Sequence, residues 1–467
     1  MARTALQPPR RRPGAWLSIV LTAALLALVA LWWTYREQAG AAAVGAPIDG
    51  QARQFVTLGL ALGRLFPTEV DSYFGPAALA PSANQPLPSL ERLRSDIAQL
   101  DLALRDQPAT GDDRHGRLAE RTKRLLALVD IMRLPTPLPF DEEAQRLYGL
   151  APVRSDDRHY RDTRAALDRL LPGGGSLTQR VEEFRRQFII PEDRRRAVFE
   201  RALAECRKRT LQHWPLPRSE RLDVEWTSDV GAAWHRYHGK FRSSLQVNPQ
   251  AVAFLGSATD VACHEAYPGH HTQFVLAEAA AGAGHRPVED NIVLLRSPGS
   301  VIREGAADFG VSLVFPLGDR LAFERDVLFP IAGFPPATAA RFERVRQLLD
   351  ILAPATLPIL RAYRDRRISA EAAAAALDHE ALIASPGALL GFVDTLGAYA
   401  IGYTGVREQV RGIVDAGQPP GDAVRWARLR CVLRLADAMP LGRVAAAVDS
   451  GFGATRPCEQ SLKEIKQ

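Results

Sequence analysis

A mostly α-helical fold is predicted for this chain: many helices around one small β element, with a single apolar helix ahead of them. Three features of the sequence predict it. Apolar residues recur at three- and four-residue spacing along most of the chain beyond residue 50. Alternation of apolar and polar residues is confined to short runs within 222–247. An uncharged run from Pro13 to Tyr35, dense in Leu, Ala and Val, follows Arg10, Arg11 and Arg12.

The elements follow in order. Residues 1–14 read as a basic tail on the cytoplasmic side, and 15–35 as a transmembrane anchor. The stretch from Ala15 to Trp33 is nineteen residues, roughly 28 Å as a helix, close to a bilayer core. Trp32, Trp33 and Tyr35 close the run, where interfacial aromatics belong. The arginines keep their end inside and send the remainder to the periplasm or cell exterior. A signal peptide cleaved within the small-residue stretch 39–46 is the alternative, releasing the protein to the periplasm. No cysteine precedes Cys206, so no lipid-bearing N-terminal cysteine is expected. A linker at 36–48 leads to an N-terminal helical bundle over 49–170, with helices at 51–65, 90–104 and 118–134. The Gly-rich stretch 171–176 lacks the Gly-Lys-Ser/Thr ending of a phosphate-binding loop and reads as a linker. The region 171–460 opens with a long basic helical segment, 178–213. Two short strands follow, 222–226 and 243–247. They either brace the next helix or offer an edge to which an extended peptide adds. Helices resume after Asp319, with breaks at Pro330, Pro335-Pro336, Pro354 and Pro358.

Of the 467 residues, 46% are apolar and 24% charged, values of a globular protein with a sizeable core. The net charge is +6, but Arg3, Arg10, Arg11 and Arg12 carry most of it and the remainder is near neutral. That balance, without any zinc-knuckle or RNA-binding signature, argues against nucleic-acid binding. Cys206, Cys263, Cys431 and Cys458 form no paired metal spacing. Oxidation of Cys431 with Cys458 is open to an exported protein, although nothing selects one pairing. Cys263 reads as a small buried packing residue. No feature specifies an oligomeric state.

The chemistry concentrates in His264-Glu265-Ala266-Tyr267-Pro268-Gly269-His270-His271. Neutral imidazole is a leading zinc ligand, and a glutamate beside the metal acts as a general base. Helical zinc sites usually carry two histidines four apart; here that place holds Pro268. On an unbroken helix His270 lies roughly 120° off the face of His264, and His271 about 10 Å further along the axis. Pro268 removes a backbone donor and clashes with the preceding turn, so it breaks the helix. Gly269 tolerates the angles that result. The break can swing His270 or His271 back to His264, His270 first with His271 behind it. Forty residues beyond His264, Glu304 and Asp308 share one helical face. Glu304 completes a His/His/Glu zinc set, and Asp308 hydrogen-bonds a ligand histidine and fixes its tautomer. Tyr399 and Tyr403, four apart, are candidates to contact the oxyanion, with His238 a weaker one. Arg303 or Arg296 would pair with a substrate carboxylate.

These residues resemble the signature of bacterial domain-of-unknown-function family 885, which is placed among zinc metallopeptidases of the thermolysin-like clan. The resemblance runs through His264 to His271 with Gln273, and through Asp71-Ser72-Tyr73-Phe74-Gly75-Pro76. It continues in Tyr237-His238-Gly239 with Ser243, Ser244 and Asn248, in Glu304-Gly305, and in Tyr399 to Gly405. It covers roughly residues 49–411. Ala306 stands where the family often has Trp. The resemblance implies a zinc-peptidase-like catalytic domain that hydrolyses a peptide substrate with a zinc-activated water. Glu265 would be the base, and His264, His270 or His271, and Glu304 the ligands; Arg303 and Asn248 would meet the substrate. The alternatives are hydrolysis of a non-peptide amide or ester, or a membrane-anchored protein that binds metal or peptide without turnover.

Overall fold

Serines cap four of the described helices, and prolines stand at or near the starts of several others. The structure, a computed structural model, describes residues 47–451 apart from 83, 107–112, 152–155, 282–285, 317, 417–420 and 438. The basic tail, the apolar segment 15–35 and Cys458 lie outside the described residues. The chain divides into a unit ending at Arg53, described only as the opening turns of α1 (Pro47–Leu65), and a unit from Gln54 onward.

In the second unit, β1 (Val70–Tyr73) precedes α2 (Leu90–Arg105), α3 (Asp113–Met132), α4 (Phe140–Tyr148) and α5 (Asp157–Leu170). Ser89 caps α2 by accepting the Arg92 N–H. Leu93, Ile97, Leu100 and Leu104 form its buried stripe, and α2 packs on α3. Ser176 and Gln179 make a reciprocal capping box at the start of α6 (Leu177–Arg186), which α7 (Glu192–Leu211) follows. The single basic helix expected over 178–213 is therefore two. The first ends at Arg186, Pro191 stands at the N-cap of the second, and between them the backbone N–H of Ile190 donates to Ala253 O.

Three strands come next: β2 (Arg221–Trp226), β3 (Ala233–Gly239) and β4 (Arg242–Val247). They form a sheet in the order β2-β4-β3, with β2 parallel and β3 antiparallel to β4. The two expected strands are present. β3 escaped notice because its inward residues are His235, Tyr237 and Gly239 rather than aliphatics.

Beyond the sheet lie α8 (Leu255–Glu265), α9 (His270–Ala281), β5 (Ile292–Leu294) and α10 (Pro298–Val314). The chain continues through α11 (Ala339–Leu352), α12 (Thr356–Arg364), α13 (Ala370–Ala381) and α14 (Gly387–Leu396). It closes with α15 (Arg407–Val414), α16 (Asp422–Leu435) and α17 (Leu441–Gly451). Pro330 and Pro358 do not break helices; each sits in a first turn, where its missing N–H costs nothing. Ser297 caps α10, whose residues are almost all buried, and α10 packs on α8, α15 and α16. Cys263 is no free packing thiol: it is bridged to Cys206, which fastens α8 to α7.

No break in packing falls at the boundary expected near residue 170. β1 pairs antiparallel with β5, α5 packs on α11, and α4 packs on the turn at 397–401. Among the described residues, one helical run (Gly387–Val414) is long and apolar enough to cross a membrane, and over half of its apolar window is buried in the fold.

Candidate metal centre

The site is built on the joint between α8 and α9. Gly269 N donates to Cys263 O at 3.1 Å, and the Thr272 N–H and hydroxyl both donate to Ala266 O, at 3.1 and 2.9 Å. A Cβ on Gly269 would stand 1.5 Å from the His264 carbonyl oxygen, so only glycine fits. Pro268, whose peptide bond with Tyr267 is cis, seats against Gly310 of α10; a Cβ there would come within 2.7 Å of its ring. The joint brings His270 Nε2 to 3.2 Å from His264 Nε2.

Glu304, in the middle of α10, completes the group. Its Oε2 lies 3.3 Å from His264 Nε2 and 3.6 Å from His270 Nε2. Donors around a tetrahedral zinc, each ~2.0–2.2 Å from it, stand roughly 3.3–3.6 Å apart. The three atoms therefore already have the spacing of one face of such a tetrahedron. Asp308 Oδ1, one turn beyond Glu304, is 2.7 Å from His264 Nδ1. Asp308 thereby holds His264 by Nδ1 and leaves Nε2 as the nitrogen directed at Glu304 and His270. Glu304 Oε2 is buried and accepts no hydrogen bond. A buried carboxylate oxygen set between two imidazole nitrogens is a donor set that a divalent cation completes. Burial pushes the Glu304 carboxyl up, but His270 and His264 outweigh it and hold it well below the usual carboxylate range.

Glu265, the last residue of α8, points into the same cleft. Burial raises its carboxyl, partly offset by His264 and His270. The cleft has a volume of ≈560 Å³, and Asp71, Trp234, His235, Phe274, Phe392 and Tyr403 are among its walls. The Tyr403 ring stacks on His264 at 6.4 Å, and 36% of the residue is exposed.

Several expected roles change. His271 is no metal ligand. Neighbours on a helix point about 100° apart, and its buried ring turns away from the cleft, with Nε2 2.8 Å from Glu220 Oε1 and Nδ1 2.7 Å from Ser243 Oγ. Tyr399 lines the cleft, but its hydroxyl is engaged behind the metal site rather than turned to a substrate oxyanion. It is 1% exposed and donates its hydroxyl to Glu304 Oε1 at 2.9 Å, with Ser300 Oγ 3.1 Å away. Arg303 is held by both carboxylate oxygens of Asp437, at 2.9 and 2.8 Å, and Arg296 by Glu69, so neither guanidinium is free for substrate. Asn248 shapes a turn, donating to Val230 O and accepting from Gln250 N. His238 sits one residue off the inward face of β3 and pairs with Ser244. Asp71 and His235 line the cleft without having been singled out as site residues. Each comes from a strand far from the histidine motif in sequence, and no spacing rule connects them.

No family model matches the chain, and no curated protein matches it. Among solved structures, a protein of Colwellia psychrerythraea described as a lipoprotein aligns with a TM-score of 0.50 and 14% identity, over 78% of this chain. The alignment covers 64% of that protein, so the chain spans just under two thirds of its length. An M32 carboxypeptidase from Deinococcus radiodurans R1 aligns at a TM-score of 0.44 and 16% identity, over 90% of this chain and 97% of that one. At such identity the first likeness is one of fold alone.

Proposed function

We propose that this chain is a zinc-dependent peptidase acting outside the cytoplasm. The observation that carries the reading is the triangle of His264 Nε2, His270 Nε2 and the donorless Glu304 Oε2, with Glu265 beside it in an open cleft. His264, His270 and Glu304 would hold the ion, and three protein ligands are the number a catalytic zinc takes. Bound zinc supplies Lewis acidity, polarising a carbonyl and bringing the pKa of a water toward ~7.

The remaining work falls to side chains. Glu265, its carboxyl raised by burial, takes the proton of the attacking water and returns it to the leaving amine. Tyr403, whose phenol is kept above its ordinary pKa by partial burial and by the carboxylates of Glu304, Asp308 and Glu265, stays protonated and donates to the oxyanion at the scissile carbonyl. Asp308 and Tyr399 hold His264 and Glu304 in place. The cleft's ≈560 Å³ is the size of a binding pocket, within ~300–1,000 Å³. Its wall also includes Ala233 to His235 of β3, an edge strand that an extended chain can follow. The arginines and apolar run ahead of residue 36 support a membrane tether with this unit on the far side.

The test is Glu265→Gln assayed against a peptide library. Turnover should fall by about 10²–10⁴-fold with zinc content unchanged. Unaltered turnover would remove Glu265 as the base, and a wild type that hydrolyses only esters or non-peptide amides would overturn the substrate class.

A further inference from the structure

The metal centre stands between two apolar walls of the cleft. On the His264 side, Phe392 and Leu396 lie one turn apart on α14, share a face and line the cleft. The Phe392 ring meets the Tyr403 ring edge-on at 5.8 Å, and Tyr403 stacks on His264 at 6.4 Å. On the His270 side, the His235 ring lies 6.1 Å from that of His270 and stacks on Phe274 at 5.7 Å. Trp234, next to it on β3, also lines the cleft and is 43% exposed. Both walls are backed by protein. Phe392 packs on the buried cluster that includes Leu377, Leu390 and Val393, and Phe274 stacks on Tyr237 at 5.3 Å. Surfaces held in this way lose little freedom when a ligand arrives.

Charge in the cleft is already committed. His264, His270 and Glu304 form the metal triangle, and Glu265 stands beside it. Arg303 is the only lysine or arginine among the described residues of the lining, and both carboxylate oxygens of Asp437 hold it, at 2.9 and 2.8 Å. Asp71 accepts the Ser72 hydroxyl at 3.1 Å and comes from β1, outside either apolar wall. A charged side chain laid on Phe392 and Leu396 would lose water and gain no partner from them, whereas an apolar one gains by its burial. A chain-terminal carboxylate likewise finds no unpaired lysine or arginine on the described lining.

We propose that Phe392 and Leu396 determine specificity: they receive a large apolar side chain next to the scissile bond of a peptide that is cut within its length rather than at its C-terminal residue. That the ligand is a peptide rests on the peptidase reading.

The experiment uses the full-length, zinc-loaded protein carrying Glu265→Gln, so that peptides bind without being cut. The probes are peptides blocked by an N-terminal acetyl and a C-terminal amide, with Phe, Leu, Ala, Lys or Asp at one central position. Phe and Leu peptides should bind about 10–100-fold more tightly than the others. A free C-terminal carboxylate should bring no gain. Phe392→Ala should move the Phe-to-Ala ratio toward one while zinc stays bound. Leu396→Arg should shift the preference toward Asp, a gain that a misfolded protein cannot show, so it decides the matter if Phe392→Ala does not fold. With Glu265 intact, the blocked peptides should be cut at a bond next to the Phe or Leu. No peptide binding, equal binding of all five, tighter binding of Lys or Asp, dependence on a free carboxylate, cleavage confined to the C-terminal residue, or an unaltered preference in Leu396→Arg would each overturn the proposal. With Glu265 intact, peptides that bind in the expected pattern but are never cleaved would sink the peptidase reading and leave recognition by Phe392 and Leu396 standing.

Discussion

His264 and Glu304 of the candidate metal site are each held by a neighbour, Asp308 and Tyr399, and those neighbours are where substitution is most informative. Tyr399 donates to the Glu304 oxygen that faces away from the two histidines. Tyr399→Phe removes that bond without changing shape, and zinc affinity should fall by about 10–100-fold as measured by competition with a chelator. An unchanged affinity would mean that α10 packing alone holds Glu304. Glu220 gives a prediction in pH. Its folded value, about 2, lies below its ordinary 4.5. The stabilisation it contributes is therefore fully present above pH ~4.5 and is lost as pH falls toward 2, amounting to at most about 3 kcal/mol. In Glu220→Gln the acid limb of a stability-against-pH curve should flatten over that window. An acid limb identical to wild type would show that the carboxylate is not ionised in the folded state. At this scale the sequence made His264, Glu265, Glu304 and Asp308 legible, because spacing along a helix fixes which side chains share a face. It left His270 and His271 open, since the choice depends on how the chain passes Pro268 and Gly269.

That passage is the element on which the site depends. An unbroken α8–α9 helix would point His264 and His270 in different directions, and the joint closes only because Gly269 brings no Cβ against the His264 carbonyl. Gly269→Ala should therefore cost about 3 kcal/mol, of the order of overpacking a core, and should remove bound zinc. Gly391→Ala in α14, where nothing lies within 4 Å of the added carbon, serves as its control and should be neutral or stabilising by about 0.5–1 kcal/mol. Retained zinc in a folded Gly269→Ala protein would mean that the joint can form another way. The sequence announced the joint through Pro268 but not the strand that faces it. β3 turns two polar rings and a glycine inward, so the apolar alternation that marks a strand is missing.

At the scale of the whole molecule, the residues expected to form a separate N-terminal bundle share a sheet and helix packing with the region that carries the histidine motif, and β1 carries Asp71 to the cleft wall. Helix content was legible from periodicity, because local spacing reports it. The pairing of β1 with β5, more than 200 residues apart, was not, because no local pattern encodes a partner so distant. The account stands or falls on the metal. We would measure bound zinc by elemental analysis on the purified, folded full-length protein, beside Glu304→Ala. The account predicts close to one zinc per chain in the wild type and little or none in the variant. A folded wild type that holds no zinc even after zinc is supplied would contradict it.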